Sequence, residues 1–219
     1  GLSVPHPTYP RRDIVRDISF SVRRGEILGI GGLVGAGRSE ILGAVFGQLT
    51  HGVRKKIYVR GKETPITCPR DAIRAGIGLV PEDRKINGFI WAFSILHNLT
   101  LPSLRELPHR FFINFREERR TAGVPFERMR VRAPGMDTQI TNLSGGNQQK
   151  VVLGKWLIKD VSILLVDEPT RGVDVGSKAE IYAIMRELCA QGISIIMVSS
   201  DMPELVSMSD RCLVIANGT

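Results

Sequence analysis

The sequence predicts an α/β fold, and three observations carry that prediction. Apolar runs of strand length recur along the chain, and helical patterns lie between them. The stretch GGLVGAGRSE, residues 31–40, sits where a strand hands over to a helix.

In chain order, ISFSV (18–22), EILGI (26–30), KIYV (56–59), GIGLV (76–80), SILLVD (162–167), SIIMVSS (194–200) and CLVIA (212–216) read as strands. Several are continuously apolar, as strands covered on both faces of a parallel sheet must be. SEILGAVFG, from Ser39, opens a helix. In SKAEIYAIMREL (177–188), Ile181, Ile184, Met185 and Leu188 fall on one helical face. Residues 89–141 read as a helical subdomain broken by Pro102, Pro108, Pro125 and Pro134, which leaves 1–88 and 142–219 as the α/β core. Within that lobe FREERR (115–120) reads as a solvated helix face and FFINF (111–115) as local core. No internal repeat or low-complexity segment interrupts the pattern.

A chain of 219 residues has room for one substantial core with an inserted lobe. Its apolar runs, such as ILLV at 163–166 and IIMV at 195–198, fall far short of the roughly 18 residues that span a bilayer. No charged-then-apolar leader opens the sequence, so no secretion signal is expected. Cys68, Cys189 and Cys212 are odd in number and scattered, which argues for a reducing compartment and against a disulfide framework or zinc site. Cytoplasmic residence is the simple expectation. The net charge of +8 is uneven, with 22 Lys and Arg against 12 Asp and Glu in residues 1–130, and 8 against 10 thereafter. The positive charges are dispersed rather than gathered into a stripe, so no nucleic-acid partner is assigned.

The glycine stretch fits most of the phosphate-loop pattern G-x-x-x-x-G-K-[ST]. Gly32, Gly37 and Ser39 match, and Arg38 stands where lysine is called for. Glycines let backbone N–H groups curl around phosphate oxygens, and the helix N-terminus adds partial positive charge. The Ser39 hydroxyl is placed to ligate Mg²⁺. On the loop alone a nucleotide site and a structural turn both remain open. ILLVDEPT (163–170) favours the first, because it is an apolar strand ending in Asp167 and Glu168. An aspartate at a strand tip can hold Mg²⁺ through water, and the adjacent glutamate can polarise an attacking water.

With LSGGNQQK, Leu143 to Lys150, the sequence resembles the ABC-type ATPases, whose signature is an LSGGQ-like loop opening a helix. The resemblance implies a phosphate-loop nucleotide hydrolase with a RecA-like mixed sheet, an inserted helical subdomain and a small antiparallel β subdomain. It implies ATP and Mg²⁺ as cofactors. It also implies head-to-tail pairing of two such domains, each offering its LSGG to the ATP held by the other. Nucleotide contacts then fall on Tyr9 as the adenine-stacking aromatic and on Gly32, Gly35, Ala36, Gly37, Arg38, Ser39 and Glu40. The signature contributes Ser144, Gly145, Gly146 and Gln148, and the dimer-interface loop RGVDVGSK contributes Asp174. Mg²⁺ falls to Ser39, Glu82 and Asp167, and catalysis to Glu168, Ser200 and Glu82.

Three positions depart from the family pattern: Arg38 for lysine, Glu82 for glutamine in VPEDRK (80–85), and Ser200 for histidine in SSDMPEL (199–205). Arginine cannot take the place of a compact ammonium, Glu82 adds negative charge near phosphate, and a hydroxyl cannot shuttle a proton as imidazole does. The implied site is a poor hydrolytic one, paired with an intact signature donated elsewhere. GEILGIGGLVGAGRSE, VPEDRK, LSGGNQQKV, DEPTRGVDVGSK and SSDMPEL are similar to the C-terminal ATPase half of bacterial monosaccharide importers of the ribose, galactose and xylose group, and HGVRKKIYVRGK together with VPEDRK resembles the xylose member. The resemblance further implies a piece of a longer polypeptide carrying two ATPase halves, since only LSV precedes PHPTYP and the sequence stops at NGT. Its partners would be the N-terminal half, a transmembrane sugar permease and, indirectly, a periplasmic sugar-binding protein, at the cytoplasmic face of the inner membrane. Two other functions stay open: a soluble ABC protein acting on ribosomes or DNA, and a non-hydrolysing regulatory half that senses nucleotide.

Overall fold

A computed structural model describes residues 1–9, 12–104 and 114–219. The strands are β1 (Leu2–Pro5), β2 (Asp13–Ile18), β3 (Ile27–Gly32), β4 (Tyr58–Val59), β5 (Lys62–Glu63), β6 (Ile77–Val80), β7 (Ile163–Asp167), β8 (Ser194–Val198) and β9 (Arg211–Ile215). The α-helices are α1 (Arg38–Phe46), α2 (Pro69–Arg74), α3 (Ile95–Thr100), α4 (Phe115–Arg128), α5 (Gly145–Gly154), α6 (Val175–Ala190) and α7 (Met202–Met208). The chain divides into two compact units, one of Gly1–Glu82, Ser162–Pro169 and Arg186–Thr219, the other of Asp83–Val161 and Thr170–Met185.

The first unit is built on a five-stranded sheet in the order β6-β7-β8-β3-β9, with every pairing parallel. Leu164, Leu165 and Val166 of β7 and Ile195 to Val198 of β8 are buried on both faces, which accounts for their unbroken apolar run. Helix α1 lies against β7 and α7 against β3. Two antiparallel pairs, β1 with β2 and β4 with β5, complete the unit and make the fold the α/β class with a small antiparallel component.

Five details differ from the sequence-based expectation. The strand expected at 18–22 lies earlier, at Asp13–Ile18, because its partner β1 pairs Leu2 with Ile18 and reaches no further. Leu2–Pro5, unassigned from sequence, is that partner. Pro125 does not break the lobe but sits inside α4, near its C-terminal end. FREERR does form the start of α4, capped by the Asn114 side chain, yet Glu118 within it is buried. Of FFINF, residues 111–113 lie outside the described residues, as does Pro108. Phe115 is exposed. The helix expected over 177–188 is present, and Ile181, Ile184, Met185 and Leu188 are all buried. No helix among the described residues is long and apolar enough to cross a membrane.

In the second unit α3, α4 and α5 pack together through Ile95, Leu99, Ala122, Val152 and Leu153. Glu118 is 1% exposed there, and it accepts a 2.7 Å hydrogen bond from the Thr100 hydroxyl. Its other oxygen, Oε2, is buried with no hydrogen-bond partner among the described residues. Thr100→Val keeps the shape but removes that donor from a buried carboxylate. It is expected to destabilise the protein by about 1–3 kcal/mol, read from the urea unfolding midpoint.

Candidate functional site

The glycine loop leaves the C-terminal end of β3 and enters α1. Gly32, Gly35 and Gly37 take φ values of 152°, 81° and 93°, so the turn runs through backbone space that side chains avoid. At Gly37, a Cβ would also sit 2.7 Å from Cγ2 of Val15. Ala36 N donates to Leu33 O at 3.0 Å, closing the turn, and Ile41 N donates to Gly37 O at 3.0 Å, starting the helix. The opening turn of any helix leaves N–H groups without intrahelical acceptors, and here they belong to the loop's end. Ser39 is exposed there, with Glu40 following it in the first turn. Gly32 to Ala36 and Ser199 to Ser200 line an open cleft of about 1350 Å³ that also takes in Arg12 and Arg16.

Asp167 ends β7, paired in register with Val198 of β8. It is 6% exposed, and its Oδ1 is buried with no hydrogen-bond partner among the described residues. Burial pushes its carboxyl up to about 6, the Ser39 hydroxyl pulls the other way, and the neighbouring Glu168 charge adds to the rise. Glu168 has φ 48°, a left-handed conformation rare for a residue with a side chain, and its N–H donates to Val198 O at 2.9 Å. The Ser200 hydroxyl donates to Glu168 Oε2 at 3.1 Å. Arg38 is buried, with Nη1 donating to Ser199 O at 2.7 Å and lying 3.9 Å from Glu168 Oε1. Its guanidinium therefore turns toward the β8 end. Glu82 is half-buried just past β6, and Tyr9 is exposed with its ring 4.7 Å from that of His6. All these residues belong to the first unit.

The second unit holds the LSGG turn. Ser144 caps α5, its hydroxyl accepting from the Asn147 backbone N–H at 3.5 Å and from Asn147 Nδ2 at 3.0 Å. A Cβ on Gly145 would meet Arg84 Nη2 at 2.6 Å, and one on Gly146 would meet Ser177 Cβ at 2.4 Å, so bare backbone is required at both. Gln148 is buried, and its side chain donates to Ile140 O at 3.2 Å. Asp174 is exposed and caps the start of α6 by accepting from Ser177 N at 2.9 Å, which holds its carboxyl below the usual range. Sequence reasoning passed over Arg84. Its Nη1 and Nη2 donate to the carbonyls of Arg171 and Gly172 at 2.6 and 3.0 Å, while burial pulls its pKa down. A forked guanidinium is the side chain that can bridge successive carbonyls, and its place in VPEDRK was the available signal.

The Asp167 carboxyl binds its proton more tightly folded than unfolded. Between pH 3.8 and about 6, therefore, folding takes up protons and stability falls as pH rises. Without divalent cation, Asp167→Asn is expected to stabilise the protein by about 2–3 kcal/mol near pH 7. The gain should vanish near pH 3, as urea unfolding at about those two values would show.

Residues 15–171 match the family model described as ABC transporter. The ribose import ATP-binding protein of Rhizobium johnstonii is 49% identical over 210 residues, 96% of this chain and 41% of its own length. The xylose import ATP-binding proteins of Moorella thermoacetica and Burkholderia cenocepacia are 44% and 48% identical, over 100% and 96% of this chain. The chain thus spans less than half of these relatives, 41% to 43% of their length. Among solved structures, a nucleotide-free ATP-binding cassette from an ABC transporter superposes with TM-score 0.82 at 21% identity, covering 99% of this chain and 88% of that one. A dimeric ATP-binding cassette bound to ADP and Pi gives 0.81 at 18% identity, over 99% and 93%, so both share the fold. The family match takes in the glycine loop, the LSGG turn and the acidic strand tip in one stretch, and the chain belongs to the ABC transporter family.

Proposed function

We propose that this chain binds ATP with Mg²⁺ and acts as one of two ATPase halves that energise import of a monosaccharide, a pentose. The observation that carries the reading is the buried Asp167 Oδ1 without a partner, at the strand tip beside the Ser39 hydroxyl. A carboxylate oxygen taken from water and left unbonded is costly unless a ligand completes it. A hard cation does so: hydroxyl and carboxylate oxygens are the donors Mg²⁺ selects. Ser39, Asp167 and Glu82 would hold the metal, which supplies neutralisation of charge on the β- and γ-phosphates.

Tyr9 stacks on adenine. The backbone N–H groups of Gly32, Gly35, Ala36, Gly37, Arg38 and Ser39 meet the phosphates, with Glu40 in the turn that follows. Glu168 orients the attacking water, and Ser200 steadies its carboxylate. Turnover at this loop is slow, because Arg38, Glu82 and Ser200 each replace the group that positions or relays. Ser144, Gly145 and Gly146 serve instead the ATP held by the other half, with Gln148 anchoring the turn from beneath and Asp174 bordering the shared surface. The other half is the N-terminal domain of the same polypeptide. The helical subdomain, 89–141, docks with the VPEDRK loop on a transmembrane permease fed by a periplasmic sugar-binding protein, at the cytoplasmic face of the inner membrane. Relatives named for ribose and xylose import support a pentose as cargo.

Ser144→Arg in the full-length protein places a bulky cation on the donated turn. It is expected to lower ATP turnover about tenfold or more while nucleotide binding at the loop of this chain persists. Turnover within twofold or so of the unaltered protein would reject the donated signature.

A further inference from the structure

We infer that the Arg38 side chain is a fixed clamp on the turn after β8 rather than a phosphate ligand, so that this loop holds nucleotide without discriminating its terminal phosphoryl group; this presupposes the nucleotide site proposed above. The guanidinium is 8% exposed and already committed, to Ser199 O at 2.7 Å and to the 12%-exposed Glu168 at 3.9 Å. Charge-assisted bonds of this kind are the strong ones, and both partners sit where water replaces them poorly. If Arg38 swung to a bound phosphate, it would strip a buried carbonyl. It would also leave Glu168 next to Asp167 without the cation between the loop helix and the strand tips.

The acceptor is equally fixed. Ser199 is 1% exposed, and its hydroxyl donates to the buried Glu204 carboxylate while accepting from Asp201 N at 3.0 Å. Asp201 in turn caps α7 by accepting from Glu204 N at 3.2 Å. Ser200, between them, is bonded across to Glu168. The turn is therefore tied to α1, to α7 and to the β7 tip together, and its carbonyl cannot follow a departing guanidinium. Apart from the metal proposed above, the loop then meets phosphate with backbone N–H groups and the helix terminus, which favour the phosphates nearest it, and its side chains supply no cation to the outermost one. Arg38 is a positioning residue. A lysine at the same place carries a compact ammonium on a flexible stem, without the fixed planar fork of the guanidinium, and can turn to phosphate.

The test uses the full-length protein, photolabelled with 8-azido-ATP or 8-azido-ADP. Label on the peptide that contains Tyr9 is read by mass spectrometry and displaced by unlabelled ATP or ADP, which gives both affinities at this site alone. In the unaltered protein ATP and ADP are expected to bind within about threefold of each other. Arg38→Lys is expected to create an ATP preference of about tenfold or more, and Arg38→Met to weaken both nucleotides by the same factor. An unaltered protein preferring ATP by more than about tenfold, an Arg38→Met variant losing ATP selectively, or an Arg38→Lys variant with no gained preference overturns the clamp. If Arg38→Met does not fold, the other two proteins decide. No label at the Tyr9 peptide in the unaltered protein rejects the nucleotide site itself, an outcome separate from all of these.

Discussion

Register in the parallel sheet is the constraint on which the first unit depends. Val198 of β8 pairs with Asp167 of β7 on one side and with Ile30 of β3 on the other, while Val80 of β6 pairs with Val166. Four strands therefore end at one level, and whatever follows them emerges along one edge: Glu82, Glu168, Ser199 and the glycine loop. Close packing on both faces fixes that register, since a one-residue slip would misfit side chains against the layers above and below. The chain order strengthens the effect. Strand β3 is flanked by β8 and β9, so successive strands diverge around it, and the crevice beside such a divergence is where open α/β sheets take their ligands.

That edge concentrates unfavourable terms. Among the described residues, Asp167 is buried with an oxygen unbonded, Glu168 holds a left-handed backbone, and two carboxylates neighbour each other beside Arg38. A strained non-glycine residue costs on the order of 1–3 kcal/mol and persists where its surroundings over-determine it. Here the surroundings are the Val198 carbonyl, which takes the Glu168 N–H, and the Ser200 hydroxyl and Arg38, which hold the carboxylate. The apolar sheet beneath supplies the stability that allows this arrangement. Such local discord is the pattern of a ligand site on an otherwise self-consistent fold.

Much of this was legible as sequence because the signals were periodic or chemical. The apolar runs of β7 and β8, the helical face of α6 and the strand–loop–helix context of the glycine turn all depend on spacing along the chain. What spacing could not give was direction and partner. Residues 18–22 alternate plausibly, yet a strand exists only as far as its neighbour extends, and β1 ends the ladder at Ile18. Glu118 looks like one of five charges in FREERR, but Thr100, 18 residues away, takes it inward. Pro125 fits within α4 although proline reads as a breaker. Arg38 was legible as a cation, while its turn toward Ser199, 161 positions along the chain, was not. Arg84 was hidden for the same reason, its acceptors being backbone carbonyls that carry no residue identity.

The LSGG turn and the strand-tip edge present their polar groups differently. Around the LSGG turn, Ser144 caps its helix, Gln148 is bonded to Ile140, and Asp174 caps α6. The space over Gly145 and Gly146 is taken by Arg84 and Ser177, so the turn is set before anything binds. A surface prepared in this way loses little conformational entropy on contact with a partner, which is the condition for donating hydrogen bonds at low cost. The first unit shows the reverse, with an exposed loop apex at Leu33 and Val34 and a carboxylate oxygen awaiting a donor or cation. One surface is thus complete as it stands, and the other is completed only when a donor or cation reaches the strand tip.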